Sequence, residues 1–425
     1  MTTFWFIVYN IVFLPLIWTG FKFLSLFNPK IREGFKGRKN IFRDIENWKL
    51  DPSTKKIIFH SSSLGEFQQA IPIIEELQKK GYEIIATFFS PSGYKNSKNL
   101  LPHVKKTYIP FDSYSNVKKF INAINPEMII LMRYDLWFNF LYYAKKKNIK
   151  VVIANARYDE KDKYWKLNFV KSIKKTMYGM VDKMFVIDES DYQNYVKMMK
   201  GYDTKVIKAG DSKFERVYEA SKSIKVENVI NPEIIKNKKV FVIGSSWKDD
   251  EEIILPVINK LLEYGENLMT VLVPHEPKET KILAIENNIK SNYENLKSIR
   301  LSRIENYSGE NLVIVDSIGK LMSLYSAAYI AYVGGGFKTG LHNVLEPAIF
   351  NIPVLFANEV KNSDEDEILI EKGCGILVST RDRFYRDMRK LLTDKEYYQK
   401  AGDSCKLVFS DTLGTTKKIV ENLIN

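Results

Sequence analysis

Lys56-Ile57-Ile58-Phe59-His60-Ser61-Ser62-Ser63-Leu64-Gly65-Glu66 decides the fold class. An apolar run of strand length passes through small hydroxyl residues and a glycine into a segment that repeats Ala70, Ile73, Ile74 and Leu77 at helical spacing. A continuously apolar strand turning straight into an amphipathic helix opens a parallel-sheet unit, because such sheets are covered on both faces. The pattern recurs. Strand-like runs follow at 83–89, 128–132, 151–154 and 183–187, with helical stretches such as 115–125 and 138–147 between them. Beyond the polar segment 221–238, a second series runs through 239–244, 268–273, 312–315, 328–333, 353–356 and 375–378, and 394–425 reads as helical. These alternations predict an α/β chain with two Rossmann-like domains facing across a cleft, lined by the loops that leave the C-terminal ends of the strands.

A length of 425 residues with 45% hydrophobic content suits two cores rather than one. The formal net charge of +13 favours an anionic partner: nucleic acid, an anionic membrane or a phosphorylated substrate. No nucleic-acid recognition module is present, and the charge is spread through an enzyme-like frame rather than gathered in a tail, so no nucleic-acid partner is expected. Cys374 and Cys405 are the two cysteines, too far apart in sequence for a disulfide framework or a zinc motif. There is no HExxH and no paired carboxylates after a strand, so neither a metal nor another cofactor is expected. The run Asp364-Glu365-Asp366-Glu367 reads as a solvated helix face.

The N-terminus is unlike a soluble enzyme. Thr2 to Phe21 carries no charge, is just long enough for one spanning helix, and places Phe4, Trp5, Trp18 and Phe21 near its ends. Lys22, Lys30, Arg32, Lys36, Arg38 and Lys39 follow, opposed only by Glu33. A secretory signal has the opposite order, basic residues first and small residues last, so the segment reads as a retained anchor, with the body on the cytoplasmic side. Asn10 and Pro15 weigh for the alternative, a helix buried in a soluble core.

Four segments at strand ends carry candidate chemistry. In His60 to Glu66, Ser63 and Gly65 let a backbone approach a ligand, and Glu66 opens the next helix. That carboxylate has two readings from position alone: a general base toward a hydroxyl, or a cap favoured by the helix dipole. Gly334-Gly335-Gly336-Phe337-Lys338-Thr339-Gly340-Leu341-His342-Asn343-Val344-Leu345-Glu346-Pro347 joins a strand to a helix, as a phosphate cradle would, without being a Walker or GxGxxG loop. Glu346 is placed to reach a ribose hydroxyl, and a purely structural tight turn is the other reading. Gly244-Ser245-Ser246-Trp247 repeats the arrangement, and Pro274-His275-Glu276-Pro277 ends another strand. Arg133, Asp135, Asn155, Arg157 and Lys213 fall at or beyond strand ends of the first half, where cations could receive phosphates.

At these residues the sequence resembles the bacterial 3-deoxy-D-manno-octulosonic acid (Kdo) transferases of lipopolysaccharide and lipid A synthesis. The likeness spans nearly the whole chain: the anchor, HSSSLGE at 60–66, Leu136-Trp137 with Asn139, Asn155-Ala156-Arg157, Gly210 with Lys213-Phe214, Ser245-Ser246-Trp247, Asp316-Ser317-Ile318-Gly319 with Leu321 and Tyr325, and the glycine block through Pro347. It implies a GT-B fold and an inverting, metal-independent transfer of Kdo from CMP-Kdo to the tetraacyl disaccharide bisphosphate precursor of lipid A, at an anionic inner-membrane surface on the cytoplasmic side. Glu66 matches the family's catalytic glutamate. The resemblance implies donor or phosphate contacts at Ser245, Ser246, Trp247, His275, Lys213, Gly335, Gly336, Gly340, His342, Asn343 and Glu346. It leaves His60, Ser63, Gly65, Arg133, Asp135, Asn155 and Arg157 to bind the acceptor or shape the site.

Three places depart from the family pattern. Arg133-Tyr134-Asp135 stands for Glu-Thr-Glu, Pro274-His275-Glu276-Pro277 for Pro-Arg-His-Pro with Lys278 as a compensating cation, and Gly210-Asp211 for Gly-Asn in a block whose final acid aligns with Glu215. The division expected is anchor 1–28, basic flank and connector 29–55, acceptor domain 56–220, linker 221–238, nucleotide-sugar domain 239–400, and a helix 401–425 packing back across the junction. The competing functions are a related GT-B enzyme using another nucleotide sugar, such as a UDP-sugar, and a non-catalytic protein that binds anionic membranes.

Overall fold

In the computed structural model, all six residues of Lys56–Ser61 (β1) are buried, which only a strand covered on both faces permits. The structure describes residues 1–425 apart from 159–166, 358, 360–364, 411, 425 and the side chain of 228. It divides into two units, Met1–Arg216 with Thr412–Asn425, and Val217–Asp411.

In the first unit β1, β2 (Glu83–Phe88), β3 (Lys105–Tyr108), β4 (Met128–Met132), β5 (Lys150–Ala156), β6 (Lys183–Val186) and β7 (Lys205–Lys208) form a parallel seven-stranded sheet ordered β3-β2-β1-β4-β5-β6-β7. Successive residues of β1 serve opposite faces. Ile57 and Phe59 pack with Phe67, Ile73 and Leu77 of the helix Leu64–Lys79, while Ile58 packs with Val117, Phe120 and Leu141 on the other side. The strand order reverses between β1 and β4, and a crevice opens at the C-terminal ends of strands where connections diverge in this way.

The helix Thr2–Phe27 is 26 residues long and apolar enough to cross a membrane. At 1.5 Å per residue it measures about 39 Å. One π-helical turn, Tyr9–Phe13, precedes Pro15, which has no N–H to continue the α-helical ladder. The helix is neither an isolated span nor a core helix. Trp5 and Tyr9 are buried in the first unit's core, Trp5 Nε1 donates to Ser172 Oγ at 3.1 Å, and Phe6 stacks on Tyr142 at 4.3 Å. Asn10, which with Pro15 weighs for a buried helix, exchanges two hydrogen bonds with Asn139, at 2.9 and 2.8 Å. On the opposite face Ile7, Ile11, Leu16 and Phe23 stand 51–69% exposed. Lys395–Ser410 is helical within the second unit, and Thr415–Ile424 packs against Leu64–Lys79 in the first, where Glu215 accepts from the amides of Gly414 and Thr416 at 2.5 and 2.7 Å.

The second unit repeats the plan. β8 (Lys239–Ser246), β9 (Leu268–Pro274), β10 (Ser298–Arg300), β11 (Leu312–Ile314), β12 (Ile330–Val333), β13 (Val354–Phe356) and β14 (Gly375–Leu377) form a parallel sheet ordered β10-β11-β9-β8-β12-β13-β14, reversing between β8 and β12. Three strands went unforeseen: β3, β7 and β10. Each is a short edge strand carrying lysine or arginine, so its hydrophobic signal is weak. The carboxylate run also differs from expectation. Glu365 and Asp366 are buried in the first turn of Glu365–Lys372 and only Glu367 is solvated, while Asp364 lies outside the described residues.

Candidate active site

The loop after β1 stands at the β1/β4 order reversal. Ser63 caps the helix Leu64–Lys79, its Oγ accepting from Glu66 N at 3.3 Å. Glu66, half-buried, turns back so that Oε2 accepts from Ser62 N at 2.6 Å and Oε1 from Ser62 Oγ at 2.7 Å. The carboxylate thus ties down the residue that precedes the N-cap. These bonds do not exhaust it, since an ionised carboxyl offers about four acceptor positions and Ser62 takes two. Gly65 is exposed beside it, and a Cβ there would meet nothing closer than Ser63 Oγ at 4.0 Å. His60, near the C-terminal end of β1, is fully buried, with Nδ1 2.9 Å from Thr87 Oγ1 and Nε2 2.8 Å from Asp135 Oδ2. That contact joins the C-terminal end of β1 to the loop following β4.

Arg133, just past β4, holds φ at +61°, and Asn155, within β5, holds +54°. Non-glycine residues rarely take this conformation, and it gathers at functional sites where surrounding contacts enforce it. Asn155 Nδ2 donates to Asp211 Oδ1 at 3.0 Å and to Ser212 Oγ at 2.8 Å, and Ser212 Oγ donates to Gln69 O. Arg133 Nε donates to Gln69 Oε1 at 3.2 Å, with NH2 3.9 Å from Asp211 Oδ2. This network ties the ends of β4 and β5 and the helix Ser212–Lys222 to the helix that bears Glu66. Asp211 also accepts from Lys213 N at 2.8 Å, so the Asp that replaces Asn caps that helix. Arg157 lies just beyond β5, its carbonyl accepting from Tyr195 OH. Glu215 serves the C-terminal helix.

In the second unit the loops after β8 and β12 meet. Gly334 N donates to Gly244 O, and a Cβ on Gly334 would come within 2.4 Å of Ser245 O. Asp250, 1% exposed, accepts from Trp247 N at 2.9 Å, Gly335 N at 3.0 Å and Tyr332 OH at 2.7 Å. Burial raises its pKa against those three bonds, which lower it. In sequence Asp250 is one of three consecutive acids, Asp249, Asp250 and Glu251, in the first turn of Lys248–Glu263. The signal available was its place three residues after Trp247, where an N3 carboxylate can reach back to the cap. Ser245 adopts φ +53°, and Ser246 Oγ donates to Glu251 Oε1.

The glycine block folds on itself. Thr339 N and Gly340 N donate to Gly335 O, His342 N donates to Gly334 O, and a Cβ on Gly336 would lie 1.6 Å from Ala357 O. Four amides proposed as a cradle, those of Gly335, Thr339, Gly340 and His342, are thus engaged within the protein. The helix that follows, Leu345–Ala348, is a single turn. Asn343 Nδ2 donates to Glu346 Oε1 at 3.1 Å, so these two candidates are brought together.

Trp247, His275 and His342 form a ladder: indole to His275 at 4.6 Å, His275 to His342 at 4.4 Å, with Lys281 Nζ 4.9 Å from the indole ring. Burial, then His275, lowers His342 to about 4, and burial lowers His275, so both are neutral at pH 7. A neutral His342 Nε2 can accept from Trp247 Nε1, 3.3 Å away. Lys278 and Lys281 both pair with Glu276. A cavity of about 750 Å³ beside the ladder is lined by Ser246, Trp247, Glu251, Lys281, Tyr293 and Arg381, within the size range of small-ligand sites, about 300–1,000 Å³.

Comparison with known proteins bears on these loops. Residues 34–216 match the family model described as 3-deoxy-D-manno-octulosonic-acid transferase (kdotransferase). The chain is 27% identical over 417 residues to a 3-deoxy-D-manno-octulosonic acid transferase of Haemophilus influenzae, covering 96% of this chain and 95% of that protein. It is 28% identical to the transferase of that name from Chlamydophila psittaci, over 75% of this chain and 73% of that one. It also matches a bifunctional glycosyltransferase/methyltransferase of Fusobacterium nucleatum at 28% identity, over 88% of this chain and 58% of the larger protein. Among solved structures, a UDP-GlcNAc 2-epimerase of Neisseria meningitidis superposes with a TM-score of 0.62 at 17% identity, over 87% of this chain and 99% of that one. A glycosyltransferase of Rickettsia africae does so with 0.54 at 13%, over 87% and 97%. At these identities the structures bear on fold alone. The chain carries the domain of the 3-deoxy-D-manno-octulosonic-acid transferase family over residues 34–216 and has the GT-B fold, which together support a glycosyltransferase of that family.

Proposed function

We propose, with that domain match as premise, that the chain transfers Kdo from CMP-Kdo to the tetraacyl disaccharide bisphosphate precursor of lipid A, with inversion and with Glu66 as general base. The observation that carries the reading is the half-buried Glu66 carboxylate at the β1/β4 order reversal, oriented by two bonds from Ser62 yet retaining acceptor capacity. In the proposed step an acceptor hydroxyl oxygen bonds to the anomeric carbon of Kdo as that carbon's bond to the CMP phosphate breaks. The hydroxyl proton passes to Glu66 during bond formation, since a carboxylate is too weak a base to deprotonate an alcohol beforehand. CMP leaves with the bonding electrons.

No metal is assigned a part. Lys213 and Arg157, in the same unit as Glu66, are the cations best placed by sequence to face phosphate. The ladder of Trp247, His275 and His342 offers a nucleotide base an aromatic surface of uncharged rings. The reading places the protein at the cytoplasmic face of the bacterial inner membrane, held by the exposed apolar side of Thr2–Phe27 and by the basic residues after it.

The test is incubation of the purified chain with the lipid acceptor and either CMP-Kdo or a UDP-sugar, followed by mass spectrometry of the acceptor. A mass increase of whole Kdo units with CMP-Kdo alone is expected. Transfer only from the UDP-sugar would replace this assignment with the related enzyme.

A further inference from the structure

An apolar groove runs between the N-terminal helix and the first unit. Leu14, Ile17, Trp18 and Phe21 form one wall and Phe111 and Trp137 the other, enclosing about 320 Å³. The groove is built rather than incidental. Arg38 lies beneath it, its guanidinium 4.8 Å from the Phe89 ring and 5.0 Å from that of Phe111, donating to the carbonyls of Phe89, Ile109 and Gly34. Phe89 in turn stacks on Trp137 at 5.2 Å and meets Phe21 at 5.8 Å. The floor is thus fixed by a half-buried cation and by aromatic contacts, and the walls are ready before any ligand arrives.

Two features identify the occupant. The helix wall continues outward into the uncovered apolar face that bears Leu16 and Trp18, 64% and 47% exposed, on a helix long and apolar enough to cross a membrane. Water on that side would be costly for so much apolar surface, so the groove opens toward hydrocarbon. Lys22, Lys30 and Arg32 follow at the helix end, where they suit an anionic headgroup. The second feature is the neighbourhood of the base. Ser90, next to Phe89, donates its N–H to Ser62 O at 3.0 Å, and Ser62 is the residue that holds Glu66. A chain lying in the groove therefore rests against Phe21 and Trp137, which both contact Phe89, the neighbour of the Ser90 that bonds the Glu66 loop.

We infer that this groove binds one acyl chain of the membrane-borne acceptor, and so sets which acylated substrates reach Glu66. The inference rests on the proposed lipid acceptor and adds a specificity site to it. Bulk phospholipid is the competing occupant.

The test uses the full chain in nanodiscs with an acceptor carrying a photoactivatable group on an acyl chain, together with the variants Ile17→Trp, which fills the groove, and Ile17→Ser. Labelled peptides should contain Leu14–Phe21 and Phe111–Asn116, and unlabelled acceptor should compete more effectively than phosphatidylglycerol. Ile17→Trp should reduce this labelling, and the affinity for the tetraacyl acceptor, about tenfold, as expected when two or so methylenes are kept from an apolar site. Binding of CMP-Kdo should be unchanged, and Ile17→Ser should leave the groove labelled. Equal competition by phosphatidylglycerol, label spread evenly along the helix, or labelling indifferent to Ile17→Trp would overturn the inference. Labelling does not depend on transfer, so a chain that is labelled as expected yet moves no Kdo would count against the assigned reaction and not against the groove.

Discussion

Replacing Asp250 by alanine should loosen both loops of the second unit together. Its carboxylate is 1% exposed and accepts from Trp247 N, Gly335 N and Tyr332 OH, at 2.9, 3.0 and 2.7 Å. Each buried donor left without a partner costs about 1–3 kcal/mol, which sums to about 3–9 kcal/mol. The native carboxylate carries its own burial penalty, seen in its raised pKa, and removing it returns part of that sum. A net loss of about 3 kcal/mol is a reasonable figure, equivalent to roughly a hundredfold in a local opening equilibrium. Amide hydrogen exchange read by mass spectrometry resolves it, because peptides spanning 244–251 and 333–342 report each loop separately. Both should exchange about a hundredfold faster in Asp250→Ala, with β2 and β4 of the first unit unchanged and nucleotide affinity reduced. Asp250→Asn, which keeps one good acceptor, should fall between. Protection of both peptides within about threefold of the native chain would refute the idea that one carboxylate couples the loops.

Other consequences are as specific. Burial lifts Asp112 from the usual 3.8 to about 7, so the folded chain retains a proton that the unfolded chain has released. The stability tied to that proton is complete below about pH 4 and is lost as pH rises through about 7, so the native urea midpoint should fall between pH 5 and 8 more steeply than that of Asp112→Asn. Gly336→Ala would set a methyl 1.6 Å from Ala357 O, and it should abolish nucleotide binding to the second unit while leaving exchange protection in the first intact. Trp5→Ala should destabilise the first unit by about 3–5 kcal/mol, the cost of truncating a buried tryptophan, and lower its thermal midpoint in detergent. A detachable anchor would show no such effect.

Much of this was legible in the sequence for a physical reason. Strands buried on both faces cannot alternate, so β1, β4, β5, β8, β9 and β12 stand out as apolar runs, and the loops that leave them carry glycine and serine where backbone must approach backbone. The edge strands β3 and β7 were not legible, because lysine is compatible with an edge and hides the run. Glu66 was found as a candidate but its bonds to Ser62 were not, since capping and catalysis ask for the same residue at the same place. The N-terminal helix was read from hydropathy as something to be either embedded in lipid or buried in protein. Hydropathy sums over all sides of a helix, so the division into a packed face with Trp5 and Tyr9 and an open face with Ile7, Ile11 and Leu16 is invisible to it. Asp250 was hidden by its acidic neighbours, Asp249 and Glu251, which share its position in sequence but not its three partners.

The central claim is that Glu66 takes the proton from the acceptor. Its most direct test is single-turnover transfer from CMP-Kdo to the lipid A precursor by Glu66→Gln, with donor affinity measured on the same preparation. Loss of a general base predicts transfer slower by about 10²–10⁴-fold with CMP-Kdo affinity retained. Transfer within about tenfold of the native rate, on a variant that binds donor normally, would contradict it.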